Sequence, residues 1–131
     1  MNRRVARLRA AQALYQIDLT ETDIDSAIHS VLDDSETASE FMLELVKGTI
    51  EHKPEIDSKI SASLQGWTID RMGLVDRAIV RMTLYEMKFI DDIPVNVTFN
   101  EGIELAKAFG GEESGKFVNG VLSKAMETIQ D

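Results

Sequence analysis

Four arginines stand within the first nine residues: Arg3, Arg4, Arg7 and Arg9. Arginine suits phosphate well, because its planar guanidinium donates paired hydrogen bonds and stacks on nucleobases. Arg3 and Arg7 are four apart and share a face if the segment is helical. The dipole of such a helix disfavours cations at its N-terminus. An external anion would offset that cost, so the arginines read as a phosphate-binding element. Gln12 and Tyr15 follow on the same segment. They could supply base-edge contacts and stacking, which RNA-binding proteins use on splayed single-stranded bases. Tyr15 fits a place in the core equally well.

The second stretch with chemical content is GGEESGKFVNG, residues 110–120. Gly110, Gly115 and Lys116 fit the phosphate-loop pattern G-x-x-x-x-G-K-[ST] up to its last position. That position is Phe117, which cannot hold magnesium. The pattern also needs a preceding strand, whereas the segment before it, EGIELAKAF, is amphipathic with helical spacing. The glycines therefore read as helix punctuation. Lys116 and Phe117 are left at the first turn of a helix, where free N–H groups welcome an anion.

Other chemistry is sparse. Asp25, His29 and Asp33 are spaced to line one helix face, but they lack the dense ligand set a metal needs. With two histidines and no cysteine, no nucleophile, base and orienting group come together. The sequence predicts no catalytic residue, no metal and no cofactor.

The elements that would position these residues are all helices. No run of strict alternation supports a strand. The spacing predicts a first helix over 3–18 and a short second one over 23–32. A third carries Phe41, Leu45, Val46 and Thr49 inward and ends near His52. Pro54 opens a fourth, closed by Gly66. The fifth, over 69–90, is apolar on two sides of a narrow stripe formed by Asp70, Arg77, Arg81 and Lys88. Such a helix is buried on two sides, or offers one side to a partner. Asp76, Val80, Thr83 and Met87 group at its edge, where a partner could reach them. Pro94 opens a sixth helix that ends at Gly110 and Gly111, and Ser114 is the expected N-cap of a seventh.

With 131 residues, 44% of them apolar, the chain predicts one domain over 1–131 with a real core. It lacks an apolar run long enough to span a membrane and a secretory leader, so a cytoplasmic protein is expected. The net charge of −9 argues by itself against a nucleic-acid partner. Its distribution argues the other way. Residues 1–17 carry +4, residues 18–70 carry −10 and residues 71–131 carry −3. A basic end on an acidic chain suggests contact with an anionic polymer or surface.

Four segments carry a resemblance: RRVARLRAAQALYQIDL at 3–19, DRAIVRMTLYEM at 76–87, DDIPVNVTFNEGIELAKAFG at 91–110 and SGKFVNGVL at 114–122. Together they resemble the NusB family of bacterial transcription antitermination factors over nearly the whole chain. The resemblance implies an all-α fold of about seven helices, in two packed halves around a central long helix. It implies a non-enzymatic protein that binds single-stranded boxA RNA together with NusE, a small-subunit ribosomal protein. That pair would help assemble an antitermination complex on RNA polymerase, with other Nus factors as indirect partners. RNA contact would fall to Arg3, Arg4, Arg7, Gln12, Tyr15, Lys116, Phe117 and Asn119. The NusE-facing edge would be Asp76, with Val80, Thr83 and Met87 beside it. Val5 and Leu8 depart from the family pattern, which favours a basic and an acidic residue there. Phe99 and Gly102 depart from its Ile and Ala, and Gly102 should weaken its helix by about 1 kcal/mol. A protein-only interaction module is the alternative function, and a nucleotide hydrolase a third.

Overall fold

The structure, a computed structural model, describes residues 1–64 and 68–129. Among these residues every regular element is helical. They are α1 (Arg3–Thr20), α2 (Ile24–Val31), α3 (Glu40–Glu51), α4 (Lys53–Ser63), a single 3-10 turn (Ile69–Arg71), α5 (Leu74–Phe89) and α6 (Val95–Ile129). Gly111, at φ 75° and ψ −167°, breaks α6 into two arms. Counting the arms separately gives seven helical rods, as expected.

Local chemistry explains most boundaries. Asn2 opens α1 by accepting from the Val5 N–H at 2.9 Å, and the chain leaves it through a left-handed Glu21. Asp23 and Ser39 cap α2 and α3 in the same way. His52 closes α3 and opens α4, with Pro54 in the first turn of α4. The expected helix stop at Gly66 lies outside the described residues. Two boundaries differ from the sequence reading. The fifth helix begins at Leu74 rather than 69, because Met72 and Gly73 are extended and separate it from the 3-10 turn that holds Asp70. Ser114 is no N-cap: the second arm of α6 resumes directly after Gly111, so Ser114 lies inside it.

The centre of the fold is α5, in which every residue from 78 to 87 is buried. α1 and α3 pack on it from one side, α4 and α6 from the other, and α2 leans on α1. Two-sided apolarity in the sequence thus becomes two-sided burial within one chain. Ala6, Ala10 and Ala13 line the inner face of α1 with no exposure. Their small side chains let it approach the layer beneath, where Met42, Leu45, Ile60, Ile79, Met82 and Leu122 are fully buried. Each such large side chain contributes roughly 1.5–3 kcal/mol relative to exposure. Close approach recurs at two glycines. A Cβ on Gly48 would lie 2.2 Å from Tyr85 Cζ, and one on Gly102 would lie 2.7 Å from Thr83 Oγ1. Gly102 therefore marks a tight crossing of α5 and α6 rather than a simple loss of helix propensity.

The charged stripe is not a solvated face. Arg77 donates to Asp18 of α1 at 2.8 Å. Arg81 grips Asp57 of α4 at 2.7 and 3.0 Å. Lys88 pairs with Glu55. The stripe ties α5 to both halves.

Candidate nucleic-acid interface

The N-terminal arginines divide into two kinds. Arg3 and Arg4 point outward, their side chains 55% and 77% exposed. Arg3 lies 3.4 Å from Asp92. Arg4 donates through Nη2 and Nε to the two oxygens of Glu101 at 3.0 and 3.3 Å, which raises the Arg4 pKa further. Arg7 points inward. Its Nε and Nη2 meet the Glu86 carboxylate at 2.8 and 2.6 Å, and both residues are buried. Thr98 of α6 adds a hydroxyl donor to the same carboxylate at 2.6 Å. Arg7 is therefore a structural cation joining three helices, not a free contact for phosphate. This corrects the reading of Arg7 as an RNA residue. It also corrects the inference that the arginines need an external anion. The chain's own carboxylates, distant in sequence, already meet each one.

Arg9 is held as well, 3.0 Å from Asp33 and 2.9 Å from Glu36. A backbone N–H from Asp33, reinforced by Arg9, holds the Glu36 carboxyl below its ordinary pKa. Arg9 Nη1 also donates to Gln12 Oε1 at 3.0 Å. Arginine can only donate, so this bond fixes the oxygen of Gln12 toward Arg9 and leaves its NH₂ free to donate elsewhere. Among the described residues no cluster of His, Cys, Asp and Glu could hold a metal ion.

α1 and the first arm of α6 run side by side with a groove between them. Arg4, Val5, Leu8, Glu101, Glu104, Leu105 and Ala108 line a cavity of about 440 Å³. Farther along, Ala11, Gln12, Tyr15, Val75 and Phe109 line a second, of about 150 Å³. Tyr15 is half-buried against the core and also edges this pocket. Phe109, exposed at 41%, is a groove residue that the sequence reading did not single out. The unusual exposure of an aromatic side chain was not visible in the sequence.

The 116–119 element lies on the second arm of α6 and lines neither of these cavities. The second arm folds back so that Gly115 sits against the Lys107 stem. Lys116 and Asn119 are exposed, with Asn119 accepting from Ser123 at 3.0 Å. Phe117 is half-buried and packs on the core. Among the described residues no hydrogen bond or ion pair joins this trio to the arginines.

The edge expected to face a partner is mostly covered. Val80, Thr83 and Met87 are 0%, 2% and 6% exposed. The chain's own packing, with the Gly102 turn of α6 on Thr83, fills that side of α5. These three are corrected from partner-facing to core. Asp76 alone remains half-exposed. Burial pushes its carboxyl above the ordinary pKa, and a hydrogen bond with Ser114 partly reverses this.

The NusB family model matches residues 4–127. A curated relative, transcription antitermination protein NusB of Halalkalibacterium halodurans, is 63% identical over 99% of this chain and 97% of its own. Among solved structures, T. maritima NusB superposes with a TM-score of 0.88 at 37% identity, covering 97% of this chain and 92% of that one. A crystal structure of antitermination factors NusB and NusE in complex with dsRNA gives a TM-score of 0.86 at 32% identity, covering 96% of each chain. With the central helix, the arginine-bearing α1 and the glycine-broken last helix in place, this chain belongs to the NusB family.

Proposed function

We propose that this protein is a non-enzymatic, cytoplasmic transcription antitermination factor that binds boxA RNA together with NusE. The pair then helps assemble an antitermination complex on RNA polymerase with other Nus factors. The observation that carries this reading is the outward pair Arg3 and Arg4 at the open end of the α1–α6 groove. Farther along that groove lie Gln12, with a free amide donor, and Tyr15. Lys116 and Asn119, exposed on the second arm of α6, add further RNA contacts, with the exposed edge of Phe117 as a stacking element. Asp76 is the remaining residue of the proposed NusE edge.

A net charge of −9 keeps RNA affinity modest for the protein alone and steeply dependent on salt. NusE adds contact surface and basic charge. The similar complex that holds NusE also holds double-stranded RNA, so both strand states belong in the test. Labelled boxA RNA, single- and double-stranded, is titrated with the protein in the presence and absence of NusE. A gain in affinity with NusE supports the adaptor mechanism, and no gain overturns it. The carboxylate partner on every N-terminal arginine favours the alternative, a protein-only module. That alternative requires no specific RNA binding even at low salt.

A further inference from the structure

Glu101 does more than accept a stray cation. Its carboxylate is anchored, with its side chain only 22% exposed, while the Arg4 side chain it holds is 77% exposed. Both of its oxygens are used, against Nε and Nη2 of Arg4. That is the guanidinium edge that a phosphate takes in a two-pronged contact. Phosphate and Glu101 therefore compete for the same two N–H groups. Asp92 makes a single, looser contact with Arg3, one oxygen to Nη2 at 3.4 Å, and its side chain is 74% exposed. Glu104 lines the same cavity one turn beyond Glu101 and pairs with Lys107 at 3.6 Å instead. It contributes charge without making these bonds.

We propose that Glu101 and Asp92 set the affinity threshold for RNA. They occupy Arg4 and Arg3 as stand-ins for phosphate, so that only an RNA engaging several parts of the groove at once displaces them. The proposal rests on the RNA-binding reading above and assigns residues to it that the sequence left without a role. Exposed ion pairs are weak, so an RNA with additional groove contacts replaces them readily. An RNA that meets the basic end alone exchanges one anion for another and gains little. The displacement cost is the same for every RNA that takes Arg4, so only ligands with further contacts stay above the binding threshold.

The test compares Glu101→Gln and Asp92→Asn with Glu104→Gln, which removes the same charge nearby without breaking the Arg4 bonds. Affinities are measured by fluorescence anisotropy, with NusE present, for boxA RNA and for a scrambled RNA of the same length. The expected result is roughly a two- to fivefold gain for scrambled RNA in Glu101→Gln, the worth of one exposed ion pair. A gain of the same size follows for boxA RNA, because both RNAs displace the same carboxylate. Asp92→Asn gains less, and Glu104→Gln leaves both affinities near those of the wild type. Equal effects of Glu101→Gln and Glu104→Gln, or no gain in Glu101→Gln, overturn the proposal while the RNA-binding reading stands. Wild-type protein that binds neither RNA overturns both.

Discussion

Arg7 of α1 and Glu86 of α5, 79 positions apart in the chain, face each other as a two-pronged ion pair at 2.8 and 2.6 Å inside the protein. Taking two charges out of water is expensive, and only close geometry with further hydrogen bonds compensates for it. Thr98 supplies one of those bonds. Removing one partner leaves the other charged and buried. Glu86→Leu and Arg7→Met are each expected to lose about 3–5 kcal/mol of stability. The double variant Arg7→Met with Glu86→Leu should lose much less than the sum. Urea unfolding of the four proteins decides this, and independent, additive losses would show that the pair is not coupled.

The outward arginines predict a different phenotype. Arg3→Ala and Arg4→Ala should leave folding unchanged, because both side chains are exposed. Each should weaken RNA binding and reduce the slope of log affinity against log salt by about 0.7–0.9, one phosphate contact's worth. A salt titration that returned the wild-type slope would remove that arginine from the interface.

Phe117 carries two duties and so predicts two losses. Its packing against the core makes Phe117→Ala destabilising. If its exposed edge also stacks on a base, RNA affinity falls by a further ~1–3 kcal/mol. Phe117→Leu separates the duties, since it keeps most of the apolar contact and loses the ring. Full RNA affinity in a folded Phe117→Leu protein would confine Phe117 to the core.

Gly48 meets Tyr85 at a separation that leaves no room for a methyl group. Gly48→Ala should therefore lose about 1–3 kcal/mol through overpacking, against the usual gain in helix propensity. The same change forces the Tyr85 ring away from Glu44, to which its hydroxyl donates at 3.1 Å. Burial and that carboxylate hold the phenol at a pKa of about 12, so a downward shift in the tyrosine's ultraviolet titration reports the displacement. A stable variant with an unchanged titration would show that the helices simply separate.

Asp76 makes stability depend on pH with a defined sign. Its raised folded-state pKa means the folded protein binds that proton more tightly than the unfolded chain does. The cost is absent below the unfolded value near 3.8 and fully present above the raised folded value. Asp76→Asn should accordingly melt higher than wild type at pH 7, and the gap should close as pH falls toward 3.8. A gap independent of pH would place its cause elsewhere. If NusE docks at this edge, the same variant also weakens that complex.

Helices, their count and the central role of α5 were legible because periodicity and capping are local. The sequence reading took Gly110 and Gly111 as the end of the sixth helix, and Gly111 needs only its own backbone to break α6; the Asn2, Asp23 and Ser39 caps are equally local, though the sequence reading did not name them. What the sequence hid was long-range. Nothing near Arg7 indicates that Glu86 neutralises it, and nothing near Arg4 points to Glu101, 97 positions away. Four basic residues in a row of helix therefore looked alike, although one is core and two face solvent. Val80, Thr83 and Met87 failed for a related reason. A helical wheel shows which residues share a side, but not that the chain's own last helix covers it.

Arg7, Glu86 and Thr98 carry a consequence for descent. Loss of Arg7 or of Glu86 alone strands a buried charge, so intermediates along a stepwise path are unstable. The two are therefore expected to change together or not at all. Arg3, Arg4, Asp92 and Glu101 stand outside that constraint and can be exchanged one at a time. The exposed rim is therefore free to vary, while the pin beneath it holds α1, α5 and α6 in register.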